Sequence, residues 1–278
     1  MNAAVLRAGW SRGLIELRQL FTNGAELFSH VLWPALMVAT LFFLRDLSFG
    51  GVPLGVLALP GILGMNAATG MIGMSQQLTA DREDGTLLRA KATPHGMPAY
   101  LLGKVIAVAG GLLADLLIFL VPAVLVVGDG LAVRPGSWPA LAWVLVLGLA
   151  ATLPAGAVLG AAFTSARAQG LVQLPFLAVI GISGVFYPIV VLPVWLQAVA
   201  QVFPVYWMGL EMRAALLPDA AAAVEIGGSW RPVETAAVLA AWAVAGLLLA
   251  PAVLRRMARG ESGASVAARR ERALRRIG

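Results

Sequence analysis

The sequence predicts an all-α, polytopic membrane protein, and three observations carry that prediction. Of 278 residues, 60% are hydrophobic and only 12% are charged, against roughly 45–50% and 25% in soluble domains. The mean hydropathy of +0.86 is too high for a single soluble core. The apolar residues also gather into six long runs, near the roughly 20 residues that a helix needs to cross a bilayer. This composition excludes a disordered chain. The absence of Cys excludes a disulfide scaffold or a thiol enzyme. With only His30 and His95 present, no metal site is expected.

Residues 1–26 come first. Leu6, Trp10, Leu14, Leu17 and Phe21 recur at helical spacing, with Arg7, Ser11 and Arg18 on another face. This is the pattern of an amphipathic helix lying in the membrane interface. Two roles suit it, a plain anchor or a lever that touches a cytoplasmic partner. Residues 27–254 then hold the expected spans, at 27–44, 52–74, 102–127, 139–163, 168–187 and 235–254. The stretch 188–203 is too short to cross and contains Pro193, so it is expected to re-enter the membrane from one side. Residues 255–278 form a basic tail with eight arginines.

Charge fixes the orientation. Sixteen of the twenty Lys and Arg lie in residues 1–26, 75–104, 164–170 and 255–278, which are alternate loops. The positive-inside rule puts these in the cytoplasm, so both termini are expected inside. The high pI is then a topology signal, and no nucleic-acid partner is expected.

The loop 75–101 concentrates the remaining charge: Asp81, Arg82, Glu83, Asp84, Arg89 and Lys91. Thr79 is positioned to cap a short helix over 80–94, with acids in its first turn, and Thr93-Pro94 to end it. A plain connection needs only a few residues, so a structured charged loop points to docking on another protein.

The run DREDGTLLRAKATP from Asp81 to Pro94, followed by Leu101–Lys104, resembles the coupling-helix signature of type-2 ATP-binding-cassette (ABC) export permeases of the drug and lipo-oligosaccharide exporter type. Asp81, Arg82, Glu83, Gly85, Thr86, Leu87, Pro94, Gly103 and Lys104 carry it. The stretch SGVFYPIVVLPVWLQAVAQVFPVYW, Ser183–Trp207, is similar to that family's fifth-span exit and external re-entrant helix, with Tyr187, Pro188, Pro193, Trp195 and Pro204 at the usual places. The tail beyond Arg255 is longer than in many members, and Lys91-Ala92 stands where an apolar pair is commoner.

The resemblance implies a permease subunit in a bacterial inner membrane, working as a homodimer or heterodimer with cytoplasmic ABC ATPase subunits. ATP and Mg would bind in those partners and no cofactor in this chain. No G-x-x-x-x-G-K-[ST] phosphate loop occurs, so no ATP hydrolysis and no catalytic residue is expected here. HExxH and GxSxG are also missing, which excludes the common intramembrane protease and lipase signatures. Docking is implied at Asp81, Arg82, Glu83, Asp84, Gly85 and Thr86. Spans two and five are implied to line a central cavity, which makes Met65, Asn66, Thr69, Met71 and Met74, with Gln169, Gln173, Phe176 and Phe186, the cavity candidates. Methionines adapt to varied apolar shapes. The cargo expected is an amphipathic drug, natural product or lipid, or alternatively a lipid-linked glycan or lipo-oligosaccharide. A secondary transporter would instead show inverted repeats and paired intramembrane charges.

Asp115 falls about 17 Å beyond Lys104 along a helix. A carboxylate at that depth is costly and marks a functional candidate. It suits a cationic cargo or a proton, or a hydrogen-bonded tie between two helices. His30 stands one helical turn from Glu26, a spacing at which the two can pair. Gly156-x-x-x-Gly160 reads as close helix packing.

Overall fold

The computed structural model describes residues 3–128, 131–163 and 166–260. Among the described residues the chain is all-α apart from one hairpin, Ser48–Phe49 with Val52–Pro53. Helices α1 (Ala3–Thr22) and α2 (Gly24–Leu44) precede that hairpin. Helices α3 (Leu54–Ala68) and α4 (Gly70–Glu83) follow, then α5 (Thr86–Lys91), α6 (Gly96–Val127) and α7 (Ser137–Ala162). The chain continues with α8 (Ala166–Ile182), α9 (Val194–Ala200), α10 (Pro204–Leu216) and α11 (Pro232–Gly260).

Among the described residues, four helical stretches are long and apolar enough to cross a membrane: Leu54–Glu83, Gly96–Val127, Ser137–Ala162 and Pro232–Met257. The first is α3 and α4 joined through Thr69, whose backbone stays right-handed helical and whose hydroxyl donates to the Asn66 carbonyl at 2.6 Å. It runs on to Glu83 rather than stopping at residue 74. Helices α2 and α8 carry the shorter apolar stretches His30–Leu44 and Gln173–Ile182.

The α3–α4 rod is the centre of the molecule. From Gly55 to Ala68 every residue is buried. Helix α10 packs on α3, α7 on α4, and α11 on α7. Leu59, Ile62, Phe119, Val144, Tyr206 and Met208 form the middle of the core. Backbones come close where residues are small. A Cβ on Gly64 would lie 2.5 Å from the Gly209 nitrogen, and one on Gly160 would lie 2.7 Å from the Ser75 carbonyl. Both crossings depend on those hydrogens, as small-residue helix packing in membranes requires.

The outer surface is apolar. On α6, Leu117, Val121 and Leu125 are 62%, 66% and 81% exposed at successive turns. That is a lipid-facing stripe, since soluble surfaces scatter such residues singly. Helix α1 differs from its sequence pattern in which face meets protein. Val5, Gly9 and Gly13 are buried, and α1 packs along α6. Leu6, Trp10 and Leu14 point away from the protein. The apolar stripe is thus left for lipid, while the small residues let two backbones touch.

One local expectation is corrected. Thr79 caps nothing: it is buried inside α4, its hydroxyl bonded to the Ser75 carbonyl at 3.0 Å. The short helix therefore begins at Thr86, not near residue 80, because α4 claims residues 80–83 as its own last turn. The segment after α8 is built of short helical pieces. It comprises a 3₁₀ turn (Ile189–Val191), α9, and then α10, a thirteen-residue helix with Pro204 at its first position. Proline favours that position, since its missing N–H has no intrahelical partner there.

Candidate functional site

The Glu83 end of the rod is a polar cluster set on three helices. Lys104, on α6, is buried, and its Nζ lies 2.7 Å from Glu16 Oε2 on α1 and 2.7 Å from Asp81 Oδ2 on α4. The Tyr100 hydroxyl donates to the same Asp81 oxygen at 2.6 Å. Arg12 completes the set, with Nε 2.9 Å from Glu16 and its guanidinium 4.8 Å from the Tyr100 ring centre. A buried ammonium is tolerated only when paired, and here two carboxylates share the one cation. Lys104 thereby ties α1, α4 and α6 together. Arg82 reaches across to the Phe163 carbonyl at the end of α7 (3.4 Å).

The rod then breaks at Asp84-Gly85. Gly85 has φ of 81°, the left-handed region that a residue without Cβ enters freely. Asp84 Oδ1 accepts the Thr86 N–H at 2.7 Å, bridging the break into the first residue of α5. Arg89 Nη2 donates to the Thr86 hydroxyl at 2.8 Å. Leu87 and Ala90 of α5 are buried against Leu78, Leu153, Leu254 and Met257. Asp84, Arg89, Ala92 and Pro94 face outward. The short helix is thus packed on one side against α4, α6 and α11 and open on the other.

Above this cluster two cavities run together. The lower holds about 550 Å³ between Arg12, Glu16, Asp81, Asp84 and Lys104. The upper holds about 430 Å³ and reaches Thr69, Asp115, Gln173 and Phe176. Leu20, His30, Gln77 and Ala107 line both, so they form one passage with His30 and Gln77 at its neck. In the upper part His30 Nδ1 lies 2.6 Å from Asp115 Oδ1. His30 thus meets an acid 85 residues away in sequence, while the side chain of Glu26 lies outside the described residues.

Of the cavity candidates, Thr69, Gln173 and Phe176 line the upper cavity. Asn66 is buried beside it, accepting the Trp33 indole N–H at 3.2 Å. Met65 is not on the wall: it is 1% exposed within the core. Met74 packs in the apolar cluster behind α5. Met71 lines a separate apolar cavity of about 360 Å³ with Phe203 and Trp242, and Phe186 packs on the core. The side chain of Gln169 lies outside the described residues. Trp33, Gln76 and Gln77 line the passage without having been singled out. The signal was the Gln76-Gln77 pair in an otherwise apolar span.

On the opposite side lies a buried ion pair that hydropathy did not reveal. Arg213 Nε on α10 approaches Glu225 Oε1 at 2.8 Å, with the two side chains 1% and 0% exposed. The approach is off the hydrogen-bond axis, so the contact is chiefly electrostatic. Arg213 Nη1 also donates to the Gly184 carbonyl at 3.0 Å, pinning the exit of α8. Burial pushes the neighbouring Glu211 carboxyl up to about 7. Tyr187 donates to the Gly181 carbonyl, Pro188 precedes the 3₁₀ turn, Pro193 starts α9, and Trp195 is 66% exposed. An exposed indole suits a membrane–water interface.

A model of the ABC-2 type transporter family matches residues 6–217, which takes in α1, the break at Gly85, both cavities and α10. The chain belongs to the ABC-2 type transporter family. It is therefore the membrane domain of an ABC transporter, a multi-pass membrane protein and a transport subunit, of a family that works with ATP-binding-cassette subunits. A search of the curated proteins finds no match.

Proposed function

We propose that this ABC-2 permease is the transmembrane subunit of an ATP-driven exporter. It would move an amphipathic drug, natural product or lipid out of the cytoplasm or the inner leaflet of a bacterial inner membrane. It would have six spans with both termini cytoplasmic, working as a pair of permeases with two ATPase partners. Helix α2, at 21 residues, is about 31 Å long at about 1.5 Å per residue, enough to cross. Helix α8 and its continuation to Tyr187 would supply the sixth span.

The observation that carries this reading is the construction around α5. A six-residue helix is exposed on one face and seated on the other among α4, α6 and α11. Its acidic neighbour Asp81 is joined through Lys104 to α1 and α6. Movement imposed on α5 by an ATPase would reach every helix around the passage, because packed interiors transmit displacement rather than absorb it. Asp81, Arg82, Glu83, Asp84, Gly85 and Thr86 would form the docking and coupling segment, with Asp81 facing inward to the network. ATP and Mg would be held by the partners.

The test is simple. The chain purified free of any nucleotide-binding protein should show no ATPase activity above background. Robust hydrolysis by such a preparation would overturn the subunit assignment.

A further inference from the structure

The passage carries a charge preference that its apolar walls do not reveal. Among the described residues its upper cavity is lined by one acid, Asp115, by His30, and by no Lys or Arg. The lower cavity is lined by three acids, Glu16, Asp81 and Asp84, against two bases, Arg12 and Lys104. Both bases are engaged by carboxylates: Lys104 lies between Glu16 and Asp81, and Arg12 lies on Glu16. Setting His30 aside, the described lining of each cavity holds one more acid than Lys and Arg together, which biases its field to the negative. Low-dielectric walls focus such a field and concentrate the opposite charge.

Asp115 is placed to use that field. Its side chain is 20% exposed, and only one of its oxygens meets His30 at 2.6 Å. Around it stand Trp33, Phe176, Gln76 and Gln173. An aromatic face attracts a cation, and the amide side chains can accept or donate as a bound group requires. A phosphate in the same place would meet the Asp115 carboxylate, with no Lys or Arg among the described residues of the cavity wall to offset it.

We propose that the upper cavity is a binding site for an organic cation with an apolar body, with Asp115 as its counter-ion and Trp33 and Phe176 as its walls. This rests on the exporter reading and narrows its cargo, since a glycan carried on a phosphate-linked lipid would be repelled. Entry would be from the cytoplasmic side, past Gln77 and His30.

The experiment uses two ions of matched shape and opposite charge, tetraphenylphosphonium and tetraphenylborate. Binding of each is measured by equilibrium dialysis against the full chain in nanodiscs of uncharged lipid. Wild type should bind the phosphonium saturably and in preference to the borate. Asp115→Asn should weaken the phosphonium at least about tenfold, leave the borate unchanged or tighter, and keep an acceptor for His30. Asp115→Glu, which keeps the charge, should retain phosphonium binding. A wild type that shows no preference for the cation overturns the proposal, and needs no variant to fold. So does an Asp115→Asn chain that binds the phosphonium as tightly as wild type, which would leave Asp115 as a tie between α2 and α6. The exporter reading fails by a different readout, the absence of an ATPase partner.

Discussion

Arg213→Met is expected to destabilise the folded chain by about 3–5 kcal/mol, because it leaves the Glu225 carboxylate buried without its cation. The pair is almost wholly excluded from solvent, and Arg213 also holds the Gly184 carbonyl. Removing it loosens α10 from the exit of α8 as well as stranding a charge. Thermal unfolding of the detergent-purified protein, followed by tryptophan fluorescence, is the measurement. The double variant Arg213→Met with Glu225→Leu should recover most of the loss, since an apolar pair in place of a buried ion pair is often neutral. A single variant that melts with wild type would show that the pair contributes nothing to this packing.

Glu83→Arg is expected to leave insertion intact and to break coupling. Glu83 ends α4 and stands half-buried two residues before Gly85. Placed at a docking surface, its carboxylate would meet a basic group of the ATPase, and reversal of its charge would set two cations together. Loss of one side of a desolvated pair costs about 2–5 kcal/mol. Transport and ATPase rates in reconstituted vesicles should both fall, or hydrolysis should continue without transport. Asp219→Arg is the control. It lies on the 3₁₀ turn after α10 and approaches only exposed Arg134, at 3.6 Å, an interaction worth about 0–1 kcal/mol. Unchanged transport by a correctly inserted Glu83→Arg chain would remove this residue from the coupling surface.

Much of the molecule was legible because the bilayer constrains it so strongly. Long apolar runs speak directly of spans, and four of the runs correspond to helices long enough to cross. The DRED-GT motif is local in sequence, so its residues could be named together. Other features were illegible for definite reasons. Helix α10 contains Glu211 and Arg213, which lower its hydropathy, and the partner that makes Arg213 tolerable lies beyond a turn at Glu225. His30 and Asp115 stand 85 residues apart, and only the crossing of α2 with α6 brings them together. Thr79 followed by Asp81 and Glu83 has the composition of a helix start. Yet tertiary packing extends α4 through it, and Gly85 alone marks the break. Met65 shares span two with Thr69, but it faces the core while Thr69 lines the cavity.

The most direct test of the central claim is purification of the tagged chain from its native membranes under mild detergent, with every co-purifying protein identified and quantified. The account predicts a stoichiometric partner that bears a phosphate-binding loop and hydrolyses ATP, and predicts its loss from the Glu83→Arg variant. A wild-type chain that emerges folded and monodisperse, with no such ATPase at any detergent mild enough to preserve membrane complexes, would contradict it.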